Sequence, residues 1–429
     1  MVENLNTWME RRSGDVNTRF NDPRNAYERD YARVIHSAAF RRLQSKTQVL
    51  GLGEGGFYRT RLTHSLEVSQ IGFGINKFLK KKYAEDPEIS CVLPDDQLIQ
   101  SICLSHDIGH PPFGHGGEVA LNSCMRDHGG FEGNGQALRI LSRLEKYSQN
   151  YGMDVTRRTM LGILKYPVAY SRFNPDLYDK DDEKGLPPKC YMDSEKDVVD
   201  WILEPLSVAD KAKFTEIHEG ERKRSKYKSL DTSIMEIADD ISYGVYDVED
   251  AMSLGLISEK DWSEYLNKPG LELPDEFNYE EITKMFYGSS YERKVATGNL
   301  VNMLLASVKL VENPIFESPL LRYNCALGEK ERNLLNILIK IEFNLVIRDN
   351  NVQILEYRGQ MVIKKLFSYF SKHPQLFLPK STWRKYEEAE EAMKPRAICD
   401  YIAGMTDEYG IKMYEKFCIP RKGPIFDKL

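Results

Sequence analysis

The run Ser105-His106-Asp107-Ile108-Gly109-His110-Pro111-Pro112-Phe113-Gly114-His115-Gly116-Gly117-Glu118 decides how this chain is read. Three of the eight histidines fall within ten residues, together with two carboxylates. Upstream, Ile99, Ile102, Cys103 and His106 recur at helical spacing, so His106 closes the buried face of a helix and Asp107 stands at its end. Gly109 and the Pro111-Pro112 pair stop that helix, and the turn lets His110 and His115 come back toward the same point. A polar helix end accounts for a lone His-Asp pair. It does not account for two further imidazoles and a glutamate in the next turn. Imidazole with an adjacent carboxylate is a donor set for one first-row metal ion.

Working outward, Arg59-Thr60-Arg61-Leu62-Thr63-His64-Ser65-Leu66-Glu67-Val68 leads into a stripe of His64, Val68, Ile71, Ile75 and Phe78, spaced +4, +3, +4, +3. Taken alone, His64 reads as a core histidine with a hydrogen-bond partner. Arg61, one turn earlier, is a cation beside a possible metal ligand, which makes sense with an anion between them. A third element, Ile234 to Asp247, carries an apolar stripe of Ile234, Ala238, Ile241 and Val245. Asp239 and Tyr243 lie at i and i+4 on an adjoining face, while Asp240 falls with Glu236 and Asp247 on the side turned further away. A carboxylate at the edge of a packed face needs a partner, and a metal is one. Periodicity leaves the choice between Asp239 and Asp240 open.

His64, then His106-Asp107, then a late Asp is the H…HD…D pattern of the HD-domain phosphohydrolases, and the chain resembles the dGTPase family of deoxynucleoside triphosphate triphosphohydrolases. Further stretches that carry the resemblance are Phe40 through Val49, Phe131-Glu132-Gly133-Asn134, Leu164-Lys165-Tyr166-Pro167, Asp239 through Asp250, and Asp400-Tyr401-Ile402-Ala403-Gly404-Met405-Thr406-Asp407, in family order. The resemblance implies four metal ligands, His64, His106, Asp107 and Asp239. It implies that His115 and Glu118 handle the proton near the scissile bond, with His110 close to the phosphates. Arg61 and Lys165, and more weakly Tyr166, resemble phosphate contacts. Gln48, Tyr243 and Asp247 resemble the residues that read the sugar, Tyr243 closing where a 2′-hydroxyl would clash. The implied cofactor is one divalent metal ion per active site, Mn2+ or Mg2+ before other first-row metals. The implied reaction attacks the α-phosphorus of a deoxynucleoside triphosphate, dGTP being the favoured substrate, and releases deoxynucleoside and inorganic tripolyphosphate. A homo-oligomer, often a hexamer in such families, and a single-stranded DNA effector are implied by the resemblance only. Many relatives carry His where this chain has Gly133, and commonly Ala at Gly135.

The bulk numbers agree with a globular enzyme. Of the 429 residues, 41% are apolar and 29% charged with mixed sign, enough for a sizeable core. The net charge of −6 gives no sign of a protein living on nucleic-acid phosphates, though a small polyanion needs only a few converging cations. Seven cysteines without a CxxC spacing read as free thiols in a reducing compartment. No apolar run is long enough for a transmembrane helix, and residues 1–17 lack the apolar stretch of a secretory signal. No membrane association and a cytoplasmic location are therefore expected. Strand signals are sparse, so the expected fold is all-α, an HD-domain helical core with additional helices and a short hairpin at 47–59. One large helical domain is expected over 1–429, its metal-bearing core at 60–255 and a C-terminal helical elaboration at 256–429. Gly51, Gly53 and Gly56 fit G-x-G-x-x-G, but without a βαβ context they read as a loop beside the site. The segment 176–189 reads as an exposed loop, and the basic run 222–228 as a solvated face.

Overall fold

The computed structural model describes residues 5–14, 21–48, 59–173, 186–218, 223–268 and 270–419. It is mainly helical, as expected. Two small antiparallel sheets of two strands each occur among the described residues, Ile217–His218 with Arg224–Ser225 and Lys309–Glu312 with Tyr323–Ala326. The second hairpin interrupts a C-terminal third read from sequence as helical. Of the hairpin expected at 47–59, residues 49–58 lie outside the described residues, and Thr47 and Thr60 on either side form an antiparallel bridge. The glycines at 51–56 and residues 176–185 of the expected loop lie outside them too.

Three helices build the floor of the site. Arg61–Lys82 begins at a Thr60 cap whose side chain accepts the Thr63 amide while the Thr63 hydroxyl receives the Thr60 amide, a reciprocal box that fixes the first turn. That turn holds Arg61 and His64. Its buried stripe runs through Val68, Ile71 and Ile75 and ends on Leu79; Phe78 is only half buried. The expected Phe78 is corrected because a +4, +3 pattern averages 3.5 residues per turn and a straight helix drifts away from it. Asp96–Ser105 packs on this helix through Ile99, Ile102 and Cys103 and delivers His106 and Asp107 past its end. Leu230–Ile241, capped by Ser229, lies across both through Ile234, Ala238 and Ile241. Gly72 permits the approach: a Cβ there would stand 2.6 Å from Cys103 Sγ.

Helix Gly114–Met125 belongs to two regions. Its first turn carries His115 and Glu118, and its later residues Ala120, Leu121 and Met125 enter a second apolar cluster. Helices Asn350–Lys372, Lys394–Ala403 and Asp407–Cys418 supply most of the remainder, including Ile363, Phe370, Ile402 and Met413, and Phe131, Leu378 and Met405 join from outside them. The larger cluster extends from Trp8 to Val346. All seven cysteines are free, in line with the reading of the sequence. No helix of the described residues is long and apolar enough to cross a membrane.

Candidate active site

His64, His106 and Asp107 present ligand atoms that all lie within 4.8 Å of one another. Asp239 joins them: its Oδ1 is 3.1 Å from His64 Nε2 and 3.6 Å from His106 Nε2. The rings of His64 and His106 stand 5.4 Å apart. His106 Nδ1 lies 2.6 Å from the carbonyl oxygen of Cys103. That carbonyl can only accept, so Nδ1 carries the hydrogen and Nε2 keeps a lone pair. His106 Nε2 is buried and has no hydrogen-bond partner. A buried lone pair facing two carboxylates and a second imidazole is the arrangement a divalent cation completes, so the residues present fit a metal.

The electrostatics agree with that. Burial alone would raise Asp107 and Asp239, but His110, His106 and Arg61 around the first, and His106, His64 and Lys165 around the second, hold both carboxyls well below the usual range. Burial pushes His106 below its ordinary value and keeps it neutral. His64 is also buried, yet its contact with Asp239 outweighs burial and raises it to about 8. Three of the four side chains are nearly closed off, His64 at 2%, His106 at 5% and Asp107 at 7%, whereas Asp239 is 27% exposed and opens the cluster to solvent. Asp240 points elsewhere, to Arg332 at 2.7 Å.

Cationic and proton-carrying groups surround the four. Arg61 Nη1 donates to Asp107 Oδ2 at 2.8 Å, and its Nε is buried without a partner. Lys165 Nζ stands 3.8 Å from Asp239 Oδ2 and 3.4 Å from Glu236. Tyr166 is buried with the Lys228 ammonium 3.7 Å from its ring centroid. Lys228, in a run expected to be solvated, is mostly enclosed. Burial lowers its ammonium to about 7, and Glu236 at 3.3 Å works against that fall. His110 Nδ1 is 2.9 Å from Asp107 Oδ1, and its ring lies 6.0 Å from that of His115, edge to face. His115 is solvent-accessible on one side. Enclosure by protein on the others, with Lys189, His110 and Arg61 nearby, lowers it to about 4 against the opposing pull of Glu118. Glu118 is fully buried and accepts the Gly133 amide at 2.8 Å. Burial would raise it, but Lys189, His115 and His110 take it down to about 2.

Lys189 was not foreseen. Its Nζ sits 2.6 Å from Glu132 Oε1 and 3.6 Å from Glu118 Oε1. Nothing in the spacing of 176–189 distinguished it from loop lysines, since only the tertiary path turns it inward.

The remaining three make no hydrogen bond to the four, though Asp247 is close enough to His64 for their charges to interact. Gln48 follows Thr47 at the edge of a described segment, its Oε1 buried without a partner. Tyr243 is half buried beside Glu342 and Asp247, and burial together with those two acids pushes its hydroxyl far up. Asp247 is buried, 7% exposed, with Arg59 Nη1 at 3.8 Å, and burial raises it to about 7. This corrects the sequence expectation that Asp247 shares a side with Asp240. Residues Ser242–Asp247 form a π-helical turn, whose extra residue per turn rotates Asp247 inward. Glu342, at the end of helix Glu329–Glu342, is fully buried, and burial beside Asp247 holds its acid form well above the usual range against the opposing pull of the Tyr243 hydroxyl.

Residues 61–159 match the HD domain and residues 326–416 the phosphohydrolase-associated domain. A deoxyguanosinetriphosphate triphosphohydrolase-like protein of Shewanella halifaxensis (strain HAW-EB4) is 46% identical over 98% of both chains. The chain belongs to the deoxyguanosinetriphosphate triphosphohydrolase-like family. Proteins of the same description from Shewanella sp. (strain ANA-3) and Shewanella baltica (strain OS185) are 46% and 44% identical, each over 97% of both chains. The chain is thus an HD-domain, metal-dependent phosphohydrolase.

Proposed function

We propose that this protein hydrolyses deoxynucleoside triphosphates, dGTP foremost, at the α-phosphorus, giving deoxynucleoside and inorganic tripolyphosphate. One observation carries the reading. The His64, His106, Asp107 and Asp239 cluster has cations (Arg61, Lys165 and Lys189) and a His115–Glu118 pair close by, and a separate group of Tyr243 and Asp247 beyond it. A cation flanked by positive charge and a histidine suits a polyphosphate, while a tyrosine with a buried acid suits a sugar.

In this reading His64, His106, Asp107 and Asp239 hold one divalent ion, Mn2+ or Mg2+, which would polarise a phosphoryl oxygen and acidify a water molecule. Arg61, Lys165 and Tyr166 bind the phosphates, with His110 beside them, and their charge offsets that developing in the transition state. Water oxygen bonds to the α-phosphorus, the bond from that phosphorus to the sugar 5′-oxygen breaks, and His115 gives its proton to the departing oxygen. Glu118, fixed by the Gly133 amide and Lys189, orients the imidazole and stabilises its charge. Gln48 and Asp247 take the sugar hydroxyls, and Tyr243 closes on the deoxyribose. The enzyme works as a homo-oligomer in the cytoplasm, a hexamer being the favoured form, with single-stranded DNA as an effector.

The test is to incubate purified protein with Mn2+ and each deoxynucleoside triphosphate and to identify both products. Deoxynucleoside with tripolyphosphate is the expected outcome. Release of phosphate or pyrophosphate instead would assign the site to a different HD-domain reaction, and no release from any nucleotide would leave only a metal-binding protein.

A further inference from the structure

The stretch 400–407 takes no part in the chemistry above, yet one of its side chains touches both ends of it. Asp407 opens helix Asp407–Cys418 and is buried, 6% exposed. Its Oδ1 accepts the Phe113 amide at 2.9 Å. Its Oδ2 accepts the Thr47 amide at 3.0 Å and the Thr47 hydroxyl at 2.6 Å. Phe113 caps the helix that carries His115 two residues later, and its backbone is left-handed, with φ of 64°. A residue with a side chain holds that conformation only when its surroundings over-determine it. Thr47 precedes Gln48 and bridges to Thr60, the residue before Arg61.

Two further contacts brace the same joint. The buried Lys46 ammonium donates to the carbonyl oxygen of Ala403 at 2.9 Å and also to that of His110. The Phe113 ring is seated between two glycines: a Cβ on Gly359 would stand 2.4 Å from Phe113 Cβ, and one on Gly410 3.3 Å from its Cζ. Three distant parts of the chain, 46–47, 110–113 and 403–410, therefore meet at one joint, and the Asp407 carboxylate bonds Thr47 and Phe113 across it.

We infer that Asp407 is a positioning residue of the active site, one carboxylate that sets both the His115 turn and the Gln48 arm. The inference rests on the hydrolase reading given above for its kinetic consequence, but not for the clasp itself. Oδ1 acts on the proton-transfer side, and Oδ2 acts on the sugar side. The C-terminal cluster is by this route part of the catalytic apparatus.

The test uses the full chain with Mn2+ and dGTP. Asp407→Asn preserves volume but turns an N–H toward either the Phe113 or the Thr47 amide, so one contact becomes a donor facing a donor. We expect kcat to fall about 10- to 100-fold and KM to rise, as misplacement of reacting groups does, with Mn2+ affinity and Tm close to wild type. In a His115→Ala background the same change should cost no further kcat, since the turn then carries no proton donor. Equal fold losses in both backgrounds, or an unchanged kcat, would overturn the inference. Should Asp407→Asn fail to fold, Thr47→Val removes only the sugar-side hydroxyl contact and is expected to raise KM with little change in kcat; a loss confined to kcat would count against it. Asp210→Asn, which disturbs a buried carboxylate accepting the Glu317 and Ser318 amides elsewhere, should lower Tm without touching kcat or KM. Hydrogen exchange separates the clasp from the chemistry. Asp407→Asn should speed exchange at the Thr47 or the Phe113 amide, whichever faces the new N–H, but not at His64, whether or not the protein hydrolyses any nucleotide, and unchanged exchange at both would sink the clasp.

Discussion

His106 Nδ1 lies 2.6 Å from the backbone carbonyl of Cys103, one helical turn earlier, and this single contact fixes which ring nitrogen faces the carboxylates. Because the hydrogen is on Nδ1, the buried Nε2 offers a lone pair toward Asp239 and Asp107. The helix end therefore does the work that a separate acceptor does in many metal sites.

The first prediction concerns the ligand choice. Asp239→Ala should lose stoichiometric Mn2+, whereas Asp240→Ala, whose carboxylate pairs with Arg332, should retain it. Elemental analysis of both purified variants decides the matter, and the reverse pattern would reassign the ligand.

The second concerns the proton donor. His115→Ala should keep metal and substrate binding but lose about 10²- to 10⁴-fold in kcat, the range for general acid–base catalysis. Single-turnover kinetics with a separate binding measurement test it; a near-normal rate would remove His115 from the mechanism.

The third follows from the charges around that imidazole. Lys189, His110 and Arg61 help to lower His115 to about 4 in the free protein. A bound polyanion opposes those charges, so tripolyphosphate should shift the His115 titration upward, toward the range where it carries a proton at working pH. NMR titration of the histidine with and without tripolyphosphate reads this directly, and a downward or absent shift contradicts it.

The fourth concerns Glu342. Its carboxyl, buried beside Asp247, holds its proton to higher pH in the folded protein than in the unfolded chain, although the Tyr243 hydroxyl works against that rise. Across that window the unfolded state binds fewer protons, so stability falls as pH rises from the ordinary glutamate range toward the folded value. Glu342→Gln removes the charge and should raise Tm relative to wild type by an increment that grows with pH and vanishes near pH 4. Melting curves at several pH values check it; an increment independent of pH would show that Glu342 does not titrate as its surroundings imply.

The fifth contrasts two glycines three and one residues before Gln136. A Cβ on Gly133 would meet Glu118 Oε1 at 3.4 Å and His110 Nε2 at 3.7 Å, ordinary contacts, whereas one on Gly135 would meet Met192 Sδ at 2.7 Å and the Cys190 carbonyl at 2.9 Å. Gly133→Ala should change stability by no more than about 0.5 kcal/mol, and Gly135→Ala should cost about 1–3 kcal/mol. Denaturant unfolding of the two variants compares them.

Much of this was legible in the sequence because it is local. The His106 helix end, the buried face that begins at His64 and the Ile234 stripe follow from proline and glycine punctuation and a 3.6-residue repeat, all properties of a few neighbouring residues. The same locality explains the failures. Phe78 and Asp247 were misassigned because a fixed period was carried through a drifting helix and through a π-helical turn, neither of which leaves a mark in residue spacing. Lys228 and Lys189 read as solvated lysines because only distant partners, Glu236, Tyr166, Glu118 and Glu132, turn them inward.

By itself the sequence determined a helical protein and a handful of imidazoles and carboxylates fitted to one cation, since residue chemistry and short-range periodicity are written in the order of the chain. Tertiary structure alone decided that Glu342 is enclosed in the core and that Asp407 reaches across from the C-terminal cluster to hold Phe113 and Thr47. These depend on which distant surfaces pack together, and packing is settled by the shape and burial of the whole chain rather than by any segment of it.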